Sequence, residues 1–341
     1  MLKAWRFWLG VGVSLAFVAL ALRGQDPGQV RRALAGADYR ALPLALALYF
    51  AGVWVRALRW RHLLAPVRVV SARALYPVVV VGYMTNNVLP WRLGEFVRAY
   101  VLRERLGVPR SAGLATIAVE RVFDGLTMLG FLLAASLVIP FNEQLRRLAF
   151  VATVIFGVLL LALAVVVRSK TIRARLLALL SRLLPDAITA RIAAIVEGFV
   201  GGLQILRSAG DLAAVALLSV LAWTLESAMY LAIAPGLGLP IGPAGALLTT
   251  AVANLATLIP STPGYVGVFE GGVLLVLNGL LGIDRELALS YAIVVHAALY
   301  FPVTLWGLYY WTRAHLSWRA VREVRDLGAG SPRSAGAVTT E

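Results

Sequence analysis

Apolar residues along this chain fall in long unbroken runs, separated by short polar and basic connections. Runs of that kind predict membrane-crossing helices, whereas a barrel strand needs a two-residue alternation. The first run covers 4–22, behind Lys3 and Arg6, with Trp5 and Trp8 placed as interfacial belt residues. A retained anchor is expected there, although Ala19-Leu20-Ala21 also fits a signal-peptidase site. A polar connection over 24–40 holds a short amphipathic piece. The run 41–55 then leads into Arg56, Arg59 and Arg61, of which Arg59 and Arg61 are expected to snorkel at the cytoplasmic end. Residues 125–142, 148–167, 212–234 and 287–311 complete the long runs, with Glu226, His296 and Pro302 inside them.

Two runs are too short to cross a bilayer, which takes about 20 apolar residues. One is 74–89, interrupted by Pro77 and followed by Pro90. The other is 244–258, followed by a Pro- and Gly-rich stretch and a second short apolar piece to Leu281. Short broken segments are the sequence sign of discontinuous or re-entrant helices lining a cavity. The segment 86–124 between apolar runs carries Asn86, Asn87, Arg92, Glu95, Arg98, Glu120, Arg121 and Asp124. Ionisable groups near hydrocarbon cost several kcal/mol unless paired or wetted, so this concentration points to a site. Ser111 is the expected N-cap of the helix that carries Glu120 and Asp124 on one face. Residues 168–210 are basic and predict interfacial helices.

Composition narrows the class. The chain has 341 residues, 60% hydrophobic and 14% charged, where a soluble domain carries about a quarter charged. The expected fold is an all-α polytopic membrane protein with about six full spans and two re-entrant helical hairpins; eight or more ordinary spans is the alternative. One membrane domain covers 1–315, and 316–341 reads as a basic, disordered cytoplasmic tail. With no cysteine, disulfides and thiolate chemistry are excluded, and three dispersed histidines predict no metal and no cofactor. The net charge of +15 would suggest nucleic acid in a soluble protein; here it is read as basic cytoplasmic loops, with an anionic lipid as a compatible partner.

An internal repeat organises these elements. Asn87-Val88-Leu89-Pro90, followed by Gly94-Glu95-Phe96, resembles Thr257-Leu258-Ile259-Pro260, followed by Gly264, Gly267, Phe269 and Glu270. Pro90 and Pro260 lie 170 positions apart, and Trp54 and Trp223 lie 169 apart. With both termini cytoplasmic and the short runs as hairpins, 24 of the 32 basic residues fall inside and 7 outside, leaving Arg121 within a helix. That division obeys the positive-inside rule. It makes units 41–142 and 212–311 inverted, a transporter architecture.

The pattern also resembles a known family. Asn86, Pro90, Arg92, Gly94, Glu95 and Arg98, then Glu120, Arg121 and Asp124, then Ile259, Pro260, Pro263, Gly264, Gly267 and Glu270 look like the lysylphosphatidylglycerol synthase transmembrane region, shared with stand-alone flippase-like proteins. The resemblance covers about residues 5–315. It implies movement of a phospholipid or lipid-linked substrate between leaflets of an inner (cytoplasmic) membrane of bacterial type. The synthases carry a C-terminal soluble domain that transfers lysine from aminoacyl-tRNA. This chain ends at Glu341, so aminoacyl transfer is not expected and the substrate is not inherited from the family's name.

The expected substrate-binding or translocation residues are Asn86, Asn87, Arg92, Glu95, Arg98, Glu120, Arg121, Asp124, Glu226, Ser261, Thr262 and Glu270. Arg92 or Arg98 would meet a lipid phosphate through the planar guanidinium fork. Glu95 and Arg98, at i and i+3, could equally pair with each other and hold the hairpin. Asn87, Asn254, Ser261 and Thr262 would otherwise satisfy backbone groups freed at the tips. Pro90, Gly94, Pro260, Pro263, Gly264 and Gly267 are read as tip-shaping residues. A buried carboxyl lacking a cation could carry a proton, which makes Glu226 and Glu270 candidates, while His296 reads as a hydrogen-bonded core residue. No nucleophile–base pair or ATP-binding loop appears, so the expectation is a lipid transporter and not an enzyme. A non-transporting partner of a synthase or glycosyltransferase, or a small-solute transporter, is the alternative, and a homo-oligomer is compatible with either.

Overall fold

In a computed structural model, the protein is described over residues 26–89, 93–169, 209–259, 261 and 263–313, with scattered positions between 171 and 200. The first apolar run, most of the expected interfacial helices and the C-terminal tail lie outside the described residues, as do Pro90, Arg92, Pro260 and Thr262.

Among the described residues all regular structure is helical. The order is α1 (Pro27–Gly36), α2 (Leu42–Leu64), α3 (Ala72–Val88), α4 (Gly94–Leu106), α5 (Arg110–Ser136), α6 (Glu143–Arg168), α7 (Ala209–Ile233), α8 (Pro243–Ala256), α9 (Val268–Leu277) and α10 (Arg285–Arg313). Among the described residues four stretches are long and apolar enough to cross a membrane: Tyr39–Leu64, Glu143–Leu161, Gly210–Leu237 and Arg285–Arg313. The helix α5 is as long, but Glu120, Arg121 and Asp124 interrupt its apolar character.

Several boundaries differ from the sequence reading, each for a local reason. Pro77 does not interrupt α3, which continues to Val88. It sits near the start of the helix, where its missing N–H removes only one i→i−4 bond. Ser111 is not the N-cap of α5; the helix begins at Arg110 behind Pro109, whose extended backbone starts it without a side-chain cap. The helix α4 runs to Leu106 and stops where Gly107 takes a left-handed backbone, φ +63°. Side-chain caps do appear elsewhere: Ser71 accepts from Ala74 N–H and Asn142 from Leu145 N–H.

The helices α2 and α7 pack along each other at the centre. Arg59 meets Ser219 whereas Gly52 meets Leu225, so the two run antiparallel. They approach closely where a Cβ on Gly52 would lie 3.1 Å from the Ala222 carbonyl oxygen. Around this axis the packing is reciprocal. The leg α3 lies against α10, and the leg α8 lies against α5; each short pair, α3–α4 and α8–α9, also packs leg to leg and onto the long helix that follows it. The helix α6 packs chiefly on α5 and leaves Phe150, Val154, Val158 and Leu161 exposed, an apolar face suited to lipid.

Candidate functional site

Polar side chains converge where these helices cross. The helix α2 contributes Arg56 and Arg59 one turn apart, α4 contributes Arg98, and α5 contributes Glu120, Arg121 and Asp124. From α7 come Ser219, Trp223 and Glu226, spaced four and three residues so that they share one face. Arg59 is fully buried and places Nη1 at 2.6 Å from Asp124 Oδ1 and 2.8 Å from Ser219 Oγ, and Nη2 at 3.2 Å from Glu120. Arg98 grips Glu120 with both nitrogens, at 3.0 and 3.1 Å. Its guanidinium stacks 4.2 Å over the Trp60 ring, and Trp60 donates to Thr116.

Arg121 bridges three carboxylates: Glu120 at 2.7 Å, Asp124 at 3.1 Å and Glu95 at 3.7 Å. Trp223 donates its indole N–H to Asp124 at 2.8 Å while its ring lies 4.4 Å under Arg56, and Arg56 binds Glu226 at 2.7 Å. Four guanidiniums thus face four carboxylates: Arg56, Arg59, Arg98 and Arg121 against Glu95, Glu120, Asp124 and Glu226. Charges this deep are tolerable only when paired and hydrogen-bonded, and removing one partner of such a pair costs about 3–5 kcal/mol.

One edge of this cluster opens into a cavity of about 500 Å³. Arg56, Glu95, Arg121, Asp124 and Glu226 line its polar part. Ile155, Phe156 and Leu159 of α6 form an apolar wall. Phe156 fits against Gly125 so tightly that any Cβ there would overlap its ring. Two donors of the lining arginines are buried without a hydrogen-bond partner among the described residues: Arg56 Nη1, 3.3 Å from where a Cβ on Gly52 would lie, and Arg121 Nε, 3.7 Å from Glu95. Buried unsatisfied donors of this kind cost about 1–3 kcal/mol each, more when charged.

At the first tip, Asn86 Oδ1 accepts from Gly94 N–H and closes the turn between α3 and α4. Asn87 reaches across to α10, donating to Thr304 Oγ1 at 2.9 Å and to the Tyr300 carbonyl at 3.3 Å. At the second tip, residues Pro263–Tyr265 form a 3₁₀ turn, Gly264 has φ +76°, and Gly267 precedes α9 with φ +88°. Glu270 accepts from Gly267 N–H at 2.6 Å and pairs with His296 of α10. The expected tip residue Ser261 has a buried hydroxyl with no partner among the described residues.

The structure therefore brings Asn86, Asn87, Glu95, Arg121, Asp124 and Glu226 onto the cavity and keeps Arg98 and Glu120 behind it. Glu95 and Arg98 do not pair with each other: Arg98 turns to Glu120 and Glu95 to Arg121, since adjacent α5 offers each a better-placed partner. Glu226 has its cation, Arg56. Snorkelling also fails for Arg59, which is held inside by two carboxylates, although Arg61 is exposed. The sequence reading omitted Arg56, Arg59, Trp223 and His296 from the site. One signal was present: Arg56 and Glu226 are 170 positions apart, the spacing of Pro90 and Pro260.

A protein family described as the lysylphosphatidylglycerol synthase TM region matches residues 7–307. Glycosyltransferase AglD of Haloferax volcanii is 30% identical over 330 residues, which cover 86% of this chain and 52% of that protein. This chain thus spans about half of AglD's length. A UPF0104 membrane protein of Methanothermobacter thermautotrophicus is 25% identical across 86% of this chain and 90% of its own. A further UPF0104 membrane protein, from Methanocaldococcus jannaschii, is 25% identical across 65% of this chain and 90% of its own. No solved structure matches the chain.

Proposed function

The chain belongs to the lysylphosphatidylglycerol synthase transmembrane family, and from that premise we propose that it moves a lipid with an anionic, phosphate-bearing headgroup between membrane leaflets. The observation that carries the proposal is the cavity itself, which sets Arg56 and Arg121 on its polar side against an apolar wall. A guanidinium fork holds phosphate oxygens through charge-assisted hydrogen bonds, and the α6 wall gives the acyl chains an apolar path. The cluster behind the cavity is charge-balanced, so it holds the lining arginines in place rather than serving as a general anion trap.

In this reading the two halves are inverted units, 41–142 and 212–311, each a span, a re-entrant hairpin and a span. Contact near the crossing between residues 170 apart, Gly52 with Ala222 and Arg56 with Glu226, supports it. A two-fold axis brings equivalent positions together at the crossing. The protein would lie in the cytoplasmic membrane with both termini on the cytoplasmic side, and its work would be transport rather than catalysis. A second reading, favoured by the similarity to part of a protein named as a glycosyltransferase, is that the membrane unit serves a lipid-linked transferase.

The test is leaflet exchange of fluorescent phosphatidylglycerol, its lysyl form and a polyprenyl phosphate in proteoliposomes. Arg121→Lys keeps the charge but loses the planar fork and the Nε donor. The expected result is lipid-selective exchange by the native protein and a loss of about tenfold or more in Arg121→Lys and Glu95→Gln, both with native helix content. Full exchange in both variants overturns the site. No exchange of any lipid by folded native protein favours the transferase-partner reading.

A further inference from the structure

The second tip carries a polar pair unlike anything in the arginine cluster. Among the described residues, Glu120, Asp124, Glu226 and Glu95 all face guanidiniums, which stay charged at every working pH. Glu270 faces His296 instead, and no arginine or lysine among the described residues pairs with it. Imidazole changes its charge near neutral pH.

Donor and acceptor counting decides how many protons the pair holds. His296 Nε2 lies 2.7 Å from the Gly264 carbonyl oxygen, which only accepts, so Nε2 carries a hydrogen. His296 Nδ1 lies 2.5 Å from Glu270 Oε1. A contact that short needs a proton between the two atoms, on the imidazolium or on the carboxyl. The geometry therefore contains one proton more than a neutral histidine beside a carboxylate. Remove it, and either the Nδ1 lone pair faces the carboxylate, or the ring shifts its hydrogen to Nδ1 and a lone pair faces Gly264. Both deprotonated forms lose one of the two contacts.

Those contacts are the hydrogen bonds between the tip and α10, while the turn 263–265 itself packs on α3. Glu270 also accepts from Gly267 N–H, so the pair spans residues 264–270. Tyr300 packs against Gly264 closely enough that a Cβ there would lie 2.6 Å from its ring. The same residue's carbonyl accepts from Asn87 of the first tip. Among the described residues the surroundings add no competing charge. Phe269 packs tilted against the imidazole at 4.6 Å, Tyr300 of α10 is edge-on at 6.2 Å, and Tyr230 of α7 packs on Phe269 at 6.4 Å. The leg α3 presents the backbone of Asn87, and α8 presents Asn254, which reaches Glu226 rather than Glu270.

We propose that Glu270 and His296 form a proton-binding site whose occupancy latches the second tip, residues 263–267, onto α10 beside the first tip. The role of this latch in lipid movement rests on the transport reading above; the proton site itself does not. With the proton bound the tip is held. When the proton leaves, to water entering the cavity that His296 lines, the tip is freed.

Two measurements test this. Amide hydrogen exchange of the 263–270 segment, corrected for intrinsic rate, is followed in nanodiscs from about pH 5 to about pH 9. The native protein should be protected at the acidic end and open about tenfold or more with rising pH, in a one-proton transition. Glu270→Gln and His296→Phe should exchange without a pH transition. A native profile flat in pH, or the same transition surviving in both variants, overturns the proposal. A variant that loses protection throughout α2 and α7 is unfolded, and His296→Gln then takes its place. In proteoliposomes under an imposed pH gradient, the ratio of lipid exchange with and without the gradient should approach unity in the variants. Native protein that shows the tip transition but moves no lipid sinks the transport reading and leaves the proton site standing. Lipid movement without a tip transition does the reverse.

Discussion

Replacing Arg59 by methionine keeps the apolar stem and deletes one charge from the centre of the cluster. Its guanidinium sits 2.6 Å from Asp124 and 3.2 Å from Glu120, with no exposed surface. At an effective dielectric of about 20, the contact with Asp124 alone corresponds to about 6 kcal/mol before desolvation is counted. Removing one partner of a buried pair costs about 3–5 kcal/mol. Asp124 would keep Arg121 at 3.1 Å and the Trp223 N–H, and Glu120 would keep Arg98, so the lower part of that range is expected, about 3–4 kcal/mol. The balance of four cations and four carboxylates would become three against four. Adding Asp124→Asn restores it, and the double variant should recover about 2 kcal/mol relative to the sum of the single changes. The assay is reversible unfolding in mixed micelles followed by tryptophan fluorescence, since Trp60 and Trp223 both touch the cluster. A loss below about 1 kcal/mol in Arg59→Met would place the side chain at the surface, as snorkelling predicts. Strict additivity in the double variant would refute charge balance as the reason the cluster holds.

Three further outcomes follow from individual contacts. Gly94→Ala puts a Cβ 2.1 Å from the Gly82 carbonyl oxygen and should force α3 and α4 apart, losing about 1–3 kcal/mol in the same unfolding assay; Gly36→Ala, with nothing within 4 Å, should lose none. Trp223→Phe removes the N–H donated to Asp124 but keeps an aromatic face for Arg56, so a loss of about 1–3 kcal/mol is expected, and a tighter or unchanged protein would contradict the hydrogen-bond assignment. Asn87→Ala breaks the bonds to Thr304 and Tyr300 and should speed hydrogen exchange at the first tip by about fivefold or more while leaving α7 unchanged.

Among the described residues the helical class, most of the long helices and the two short, broken segments were legible along the chain. They depend on properties that act locally: the length of apolar runs, the missing N–H of proline and the left-handed tolerance of glycine. Gly264 and Gly267 shape the turn they were expected to shape, because a turn is decided by a few neighbouring residues, whereas Asn86, expected to meet substrate, closes the first turn. Charged residues were found as a group for the same reason, since a carboxylate in an apolar run stands out wherever it folds.

Partnership was another matter. Glu95 and Arg98 are one helical turn apart and looked like a pair, yet each turns to α5, because Glu120 can take both nitrogens of Arg98 and helix packing brings it within 3.1 Å. Arg59 looked like a snorkelling residue because only the crossing of α2 with α5 and α7 puts Asp124 and Ser219 around it. His296 is hydrogen-bonded as expected, but nothing near it in sequence announces its partners, Glu270, 26 positions away, and the Gly264 carbonyl, 32 away. The sequence by itself determined which residues form helices, where those helices break and which side chains must find a partner. The tertiary structure decided which partner each one found, because a buried charge takes the nearest complementary group in space, and nearness in space is set by how the helices cross.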